Sequence, residues 1–534
     1  MADGVEKKYI FLTFPIYIMG GGQNYVRSKL KYLINDGWKV YIFFRENHLY
    51  TECLFEELKD YVKGGIEYWH AVPDKIYGTI GYYTILFKML KHIGYQKDTQ
   101  CQYFIESNDE TFTVWGEILA QIVSGKHIYF TLSENFGLMG AEYYGKYIDY
   151  FKYKLERHEL AGIAESSVHR MFEGYIDVPA SKEYMLTAAS EDNIRDINSP
   201  LVEQLPYQDW NIAYFGRGDK RYLPYILYEI RLFCRKYSTR KIHFIIISVL
   251  GEAEQSLLEK LRDVENLTVN CLGYFNPIPS KLFQKIDVMI AGAGCANIAY
   301  RQGLPVIIPD AHLFTGAGIL GYTTHSTLYG EHEYSYVELL ENVLITKEYL
   351  NHPFIKRNHL TVEEAYNKFW EFVSKSSTSS EYYNFHYEKQ HLLKGPHTLQ
   401  FFKTLLDDLS KDKDERGYLV GWIKKRYGEK IALFGYGRLG QRIKKSIPEL
   451  SFELILDNKA ENFSCDESVV SPTVEVLQHV DIIFISTFGM VDEMIQELKD
   501  KQFKGTCVSF IQVLTEYLEE RILGVYSTES HNGL

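Results

Sequence analysis

The chain lacks most of what would mark a metal, membrane or nucleic-acid protein. Its 534 residues include seven cysteines. None stands in a CxxC pair or in a His/Cys cluster at zinc-ligand spacing, so neither a disulfide framework nor a metal site is signalled and reduced thiols are expected. No run of about 18 apolar residues occurs. The opening "MADGVEKKYIFLTF" passes from charge straight into a strand pattern, without the apolar region of a signal peptide, and a cytoplasmic chain is expected. An excess of basic charge is missing too. A net charge of -12 argues against a general nucleic-acid binder, because neutralising phosphates needs a basic face.

What is present is a soluble globular composition, 46% hydrophobic and 24% charged, at a length that predicts roughly three domains. One segment, Ile76 to Lys97, mixes aromatics and aliphatics with Lys88, Lys91 and His92 on one helical face. Two readings fit it: a core helix with snorkelling lysines, or a helix lying on a membrane surface. The second leaves open a peripheral contact at the inner face of the cell membrane.

Apolar runs alternate with 3.6-residue periodicity along the whole chain. "KYIFLTFPIYI", "KVYIFF", "CQYFIES", "KHIYFTLS" and "LAGIAES" read as strands of a first unit. "WNIAYF", "KIHFIIISVLG", "NLTVNCLGYF", "DVMIAGAG" and "LPVIIPD" read as a second. "KIALF", "ELILD", "DIIFIS" and "GTCVSFI" read as a third. The fold class is α/β: two Rossmann-like domains facing across a cleft, plus a smaller third Rossmann-like domain. The expected boundaries are 1–205, 206–376, a helical linker over 377–427, and 428–534. The Ser-rich stretch from Ser374 to Asn384 reads as the start of that linker.

Three glycine-bearing turns stand out. Gly20, Gly21 and Gly22 follow the first strand and open a helix, where backbone amides and the helix N-terminus can approach an anion or a sugar; a tight structural turn is the alternative. In "YFGRGDKRY", Arg217 lies just past a strand with Lys220 and Arg221 behind it, a fork and a point charge suited to a diphosphate; ordinary solvated basic residues are the alternative, and the one this motif favours when taken alone. In "DVMIAGAGCANIAYRQGLPVIIPD", Gly292 and Gly294 form a second turn before a helix carrying Asn297.

In their order along residues 8 to 376, these segments resemble the two-Rossmann-domain (GT-B) glycosyltransferases, particularly the bacterial group that uses nucleotide-sugar donors. The resemblance implies a first domain on the acceptor side and a second that holds the donor through Arg217, Lys220, Gly292, Gly294 and Asn297. Tyr274 in "CLGYFNPIP" falls where the family recognises the base. A glycan or lipid-linked acceptor in bacterial surface polysaccharide synthesis, no nucleic acid and no required cofactor are implied. No metal is implied either, since no Asp-x-Asp motif stands at a strand end. Many retaining members carry two glutamates around the donor turn where this chain has Ile290 and Ile298. Both stereochemical outcomes therefore stay open, as does a member that binds without turnover.

For an inverting transfer a carboxylate must take the acceptor proton. Glu106 and Asp109 in "FIESNDE" and Glu134 in "TLSENF" follow apolar strands and are the candidates, with helix capping the alternative for the first loop. His169 and His312 are further cleft candidates. In the third unit Gly435, Gly437 and Gly440 form GxGxxG after a strand, with Asp457 after the next strand, an arrangement suited to a nucleotide. An NAD-dependent sugar oxidoreductase or epimerase is the reading that unit would carry, although no Tyr-x-x-x-Lys pair accompanies it. Homo- or hetero-oligomerisation is left open.

Overall fold

A computed structural model describes residues 5–14, 20–45, 56–66, 78–96, 100–110, 112–132, 145–172, 182–250, 254–356, 360–385, 398–463 and 468–523. Its framework is three β-sheets built on one plan. The first sheet contains β1 (Glu6–Thr13), β2 (Trp38–Arg45), β3 (Val62–Ile66), β4 (Cys101–Ser107), β5 (Lys126–Thr131) and β6 (Leu160–Gly162). They are all parallel, in the order β3-β2-β1-β4-β5-β6. The run Tyr9–Leu12 is fully buried, as expected of a central parallel strand covered on both faces.

A two-stranded bridge of β7 (Ile194–Arg195) and β11 (Ile278–Pro279) ties the interdomain segment to the second domain. The second sheet contains β8 (Trp210–Phe215), β9 (Ile242–Ile247), β10 (Leu267–Cys271), β12 (Val288–Ala291), β13 (Val306–Pro309) and β14 (Gly316–Ile319). Its order is β10-β9-β8-β12-β13-β14, with only the last pair antiparallel. The third sheet is parallel throughout. It contains β15 (Ile431–Phe434), β16 (Leu454–Leu456), β17 (Val469–Val470), β18 (Ile482–Ile485) and β19 (Thr506–Ser509), ordered β17-β16-β15-β18-β19. The expected α/β class with two Rossmann-like domains and a smaller third is therefore observed. Each sheet has a topological switch point where its first strand, β1, β8 or β15, meets β4, β12 or β18, and ligands of such sheets bind outside the carboxyl ends there.

After the second sheet the chain returns to the first domain. Helix Val362–Lys375, opened by a capping box between Thr361 and Glu364, lies along helix Gly21–Asn35. Trp370 stacks on Trp38 at 5.7 Å between ring centroids, and the Tyr366 hydroxyl bonds Asp36. The Ser-rich stretch that composition marks as a linker then docks on the first domain. Lys126 Nζ donates to Ser377 O at 2.6 Å, Arg157 to Ser379 O at 3.1 Å, and Tyr383 N–H to Glu117 Oε1 at 3.0 Å.

Helix Gly78–His92, the segment with a membrane-surface reading, is also covered. Its Ile80, Leu86 and Met89 are buried in a cluster continuous with residues of helices Thr398–Lys411 and Phe510–Leu523. Its lysines pair with aspartates of the C-terminal part, Lys88 with Asp408 at 2.8 Å and Lys91 with Asp412. The amphipathic pattern belongs to a domain interface. Among the described residues no helix is long and apolar enough to cross a membrane.

Candidate functional site

The second sheet brings its two glycine turns together. Phe215 of β8 pairs with Ala291 of β12, so Arg217 and the Gly292–Gly294 turn leave adjacent strands at the switch point. Gly218 is needed for a close approach, since a Cβ there would stand 2.9 Å from Leu250 Cα. The Arg217 side chain is 41% exposed and paired with Asp219 at 3.0 Å; the Tyr214 hydroxyl fixes the turn by donating to Arg217 O at 2.8 Å.

Gly292 precedes helix Ala293–Arg301, whose N-terminus has no side-chain cap. Ala293 adopts φ 50°, a region that costs a non-glycine residue energy, and its N–H is held by Thr327 O at 2.9 Å. A Cβ at Gly294 would meet open space. Asn297 Oδ1 is buried without a hydrogen-bond partner among the described residues. Lys220 lies half-buried in the turn beside Arg217.

A third loop completes this edge, and of its residues and partners sequence reasoning marked only His312. Asp310, at the end of β13, accepts from His312 N–H at 2.8 Å, Leu313 N–H at 2.9 Å and Gly330 N–H at 3.1 Å. The His312 ring stacks on Tyr329 at 4.9 Å between centroids. This ties residues 326–330 to the Gly292–Gly294 turn, although the polar run "THSTLYGEHE" carries no glycine motif that would signal it. Tyr274 stands apart. It follows β10, the outer strand, two strands away from β8, beyond Gly273 at φ 68°.

In the first domain the candidates divide. Glu106 is wholly buried at 0% exposure. Its Oε2 accepts from Lys29 Nζ at 2.6 Å and from the Tyr9 hydroxyl, and its Oε1 from the Tyr25 hydroxyl at 3.0 Å and Asn108 Nδ2 at 2.8 Å. Burial pulls Lys29 down to about 8 against the pull of Glu106, and holds both tyrosines well above the usual phenol range. Asp109 is buried as well, and its carbonyl accepts from Phe112 N–H at 3.0 Å at the start of a helix. Glu134 lies outside the described residues. His169 contacts the Tyr184 hydroxyl at 2.9 Å.

Gly20 precedes helix Gly21–Asn35 in extended conformation with no side-chain cap. A Cβ at Gly21 would meet nothing within 4 Å, whereas one at Gly22 would press on the Phe14 ring at 2.9 Å. Glu191 and Asp192 bridge this helix to helix Ala293–Arg301. Glu191 N–H donates to Ser28 Oγ at 3.0 Å, Asn24 Nδ2 to Glu191 O at 3.3 Å, and Arg301 Nε to Asp192 Oδ2 at 2.7 Å.

A second polar cluster has the order of a nucleophilic triad. Ser107 Oγ lies 2.9 Å from His127 Nε2, and His127 Nδ1 lies 2.9 Å from Glu117 Oε2. Its polar atoms are taken within the fold, Ser107 Oγ also donating to Phe112 O and Glu117 also accepting from Lys154 and the Tyr383 N–H, and all three residues are at most 2% exposed. Burial, then Lys154, pushes His127 down to about 4. Burial raises Glu117, but Lys154 and His127 outweigh it and hold the carboxyl below its ordinary range.

The third sheet presents a glycine loop that closes on itself. Gly435 takes φ 94°, a Cβ at Gly440 would run into Gly435 O, and Gly437 faces open space. Asp457 Oδ2 accepts from Tyr436 N–H at 2.7 Å and its Oδ1 from Lys459 N–H at 2.9 Å. Among the described residues no group of three or more His, Cys, Asp or Glu is placed to hold a metal.

No protein-family model matches the chain, and no curated protein matches it in sequence. Solved structures resemble it in overall architecture. A glycosyltransferase from Rickettsia africae is 12% identical over 70% of this chain and 100% of its own, with a TM-score of 0.45. The UDP-GlcNAc 2-epimerase from Neisseria meningitidis bound to UDP-GlcNAc is 15% identical over 69% and 100%, with a TM-score of 0.40. A trehalose-6-phosphate synthase is 11% identical over 69% and 95%, with a TM-score of 0.43. At these values the activity has to be read from the chain's own residues.

Proposed function

We propose that the chain is a nucleotide-sugar enzyme, a glycosyltransferase that moves a sugar from a nucleotide-sugar donor to a glycan or lipid-linked acceptor in surface polysaccharide synthesis. The observation that carries this reading is the pairing of Arg217 with the uncapped Gly292–Gly294 helix N-terminus at one switch point. A guanidinium and an uncapped helix N-terminus that follow adjacent strands suit a diphosphate, and both would stabilise the charge that grows on it as the sugar leaves. Lys220 adds a second cation, Gly294 leaves room for the ligand, and Asn297 offers an acceptor. Glu134 is the candidate base, because Glu106 is enclosed with both its oxygens already taken by donors and Asp109 is enclosed at a helix start.

That enclosure favours a second reading, a chain that binds the nucleotide sugar without turning it over. Titration with nucleoside diphosphates, followed by assay of nucleotide release from the matching nucleotide sugar, separates the two. Arg217→Ala is expected to weaken diphosphate binding by tenfold or more. Glu134→Gln is expected to keep binding and lose release. Binding without release in the unaltered chain, across a panel of glycan acceptors, would favour the second reading.

A further inference from the structure

We propose that Thr13 and Asn108 form a subsite for a sugar hydroxyl at the switch point of the first domain. This deepens the nucleotide-sugar reading and rests on it. The two residues end neighbouring strands. Leu12 pairs with Ser107 in the β1–β4 ladder, and Asn108 N–H donates to Leu12 O at 2.9 Å, so Thr13 and Asn108 are the next positions out. They share a face, since Tyr9 and Asn108 both reach Glu106 and the period of two carries Tyr9 to Thr13.

Thr13 is 2% exposed and Asn108 is 0% exposed, yet Thr13 Oγ1 and Asn108 Oδ1 have no hydrogen-bond partner among the described residues. The orientation of the amide is not arbitrary. Asn108 Nδ2 donates to Glu106 Oε1 at 2.8 Å and to Phe130 O at 3.3 Å; the reversed amide would set its oxygen against two acceptors. Oδ1 is therefore a buried acceptor left over. Such atoms are few in folded chains and costly unless something fills them.

Helix Gly21–Asn35 begins over the same face. Its Tyr25 and Lys29 reach Glu106, and its Gly22 stands against Phe14 and Leu132. Leu132 N–H in turn lies 3.4 Å from Asn108 O. The first N–H groups of that helix have no intrahelical partner. The set is thus backbone donors, one hydroxyl and one carbonyl acceptor. A phosphate bears only acceptors at the oxygens that would meet Asn108 Oδ1, and the two would repel. A sugar hydroxyl donates as well as accepts and matches the set.

Thermal shift with Thr13→Val and Thr13→Ser tests the proposal. The probes are nucleoside diphosphates, the matching nucleotide sugars and simple methyl glycosides. Without ligand, Thr13→Val is expected to melt no lower than the unaltered chain, since a methyl replaces a hydroxyl without a partner. It should keep the diphosphate shift and bind the sugar-bearing ligand about tenfold more weakly, with Thr13→Ser restoring affinity. Loss confined to nucleotide sugars assigns the subsite to the donor's sugar; loss confined to glycosides assigns it to the acceptor.

Unchanged sugar affinity in Thr13→Val overturns the proposal. So does a lowered melting point with unchanged sugar affinity, which would mean that an ordered water fills the place. A chain that shows no sugar-dependent shift at all overturns it too. A chain that responds to glycosides through Thr13 but to no nucleotide would sink the donor reading and keep the subsite.

Discussion

The first and second domains share a strand order and differ in where they keep their charge. The first buries it. Glu106 with Lys29, and Glu117 with His127, Lys154 and Glu159, are ion-pair clusters almost closed to water. The second displays it, in pairs such as Arg217 with Asp219 and Arg231 with Asp263 at the surface. Buried clusters fix neighbouring segments in place: Glu106 sits beneath helix Gly21–Asn35, and Glu117 holds the strap at Tyr383. Exposed cations are free to exchange a weak partner for a ligand. Under the proposed function, the first domain would position segments and the second would bind the anion. The third sheet extends the contrast, because Asp457 gives its glycine loop an internal anion where the second domain has Arg217.

The largest break in this contrast is expected from Lys29→Met. It leaves the Glu106 carboxylate buried without its cation, a change that costs about 3–5 kcal/mol where it has been measured in other buried pairs. Denaturant unfolding should show a loss of that order, partly recovered when Glu106→Gln is added, whereas Arg217→Ala should stay within about 1 kcal/mol in the same assay. An equal loss from both would erase the distinction.

The next effect is a pH dependence. His127 takes up a proton near 4 in the folded chain and near the ordinary histidine value, about 6.5, in the unfolded one. Between those values only the unfolded chain is protonated, so stability should fall as the pH drops from about 6.5 to 4. The slope approaches about 1.4 kcal/mol per unit in mid-window and flattens near both ends, so the loss is roughly 2–3 kcal/mol. Glu117, held below its ordinary range, adds to the loss as the pH falls further. Unfolding midpoints measured across this window should flatten in His127→Gln, and an unchanged slope would remove His127 as the cause.

The three sheets were legible because buried parallel strands are continuous apolar runs bounded by turn residues, as in "KYIFLTF" and "KIALF". What was not legible depends on residues far away in the chain. Glu106 at the end of an apolar strand has the same local pattern whether it faces a cleft or a lysine from a distant helix. Gly78–His92 has the same amphipathic pattern whether lipid or helices 398–411 and 510–523 cover it. The Ser-rich strap has a linker's composition, and only Lys126, Arg157 and Glu117 reveal its binding. Arg217 and the Gly292–Gly294 turn could be found because each stands in a local strand-turn-helix pattern. Asp310 supports that turn through a carboxylate that accepts backbone N–H groups, one of them from Gly330, and Thr327 through its carbonyl, partners that no local pattern announces.

The smallest effect gives the finest comparison, within one glycine triplet. Gly21 and Gly22 both open the same helix, but only Gly22 is crowded, by the Phe14 ring at 2.9 Å and Leu132 Cδ1 at 3.6 Å. Alanine favours a helix over glycine by up to about 1 kcal/mol, less near the end. Gly21→Ala should therefore raise the melting temperature slightly, and Gly22→Ala should lower it, because the ring must shift. If the empty space at Gly21 is kept for a ligand, Gly21→Ala and more strongly Gly21→Val should slow sugar transfer while the diphosphate still binds at Arg217. Stability and transfer then move in opposite directions at one residue, which a purely structural turn would not produce. Transfer unaffected by Gly21→Val would return the triplet to the role of a tight turn and leave anion binding to the second domain alone.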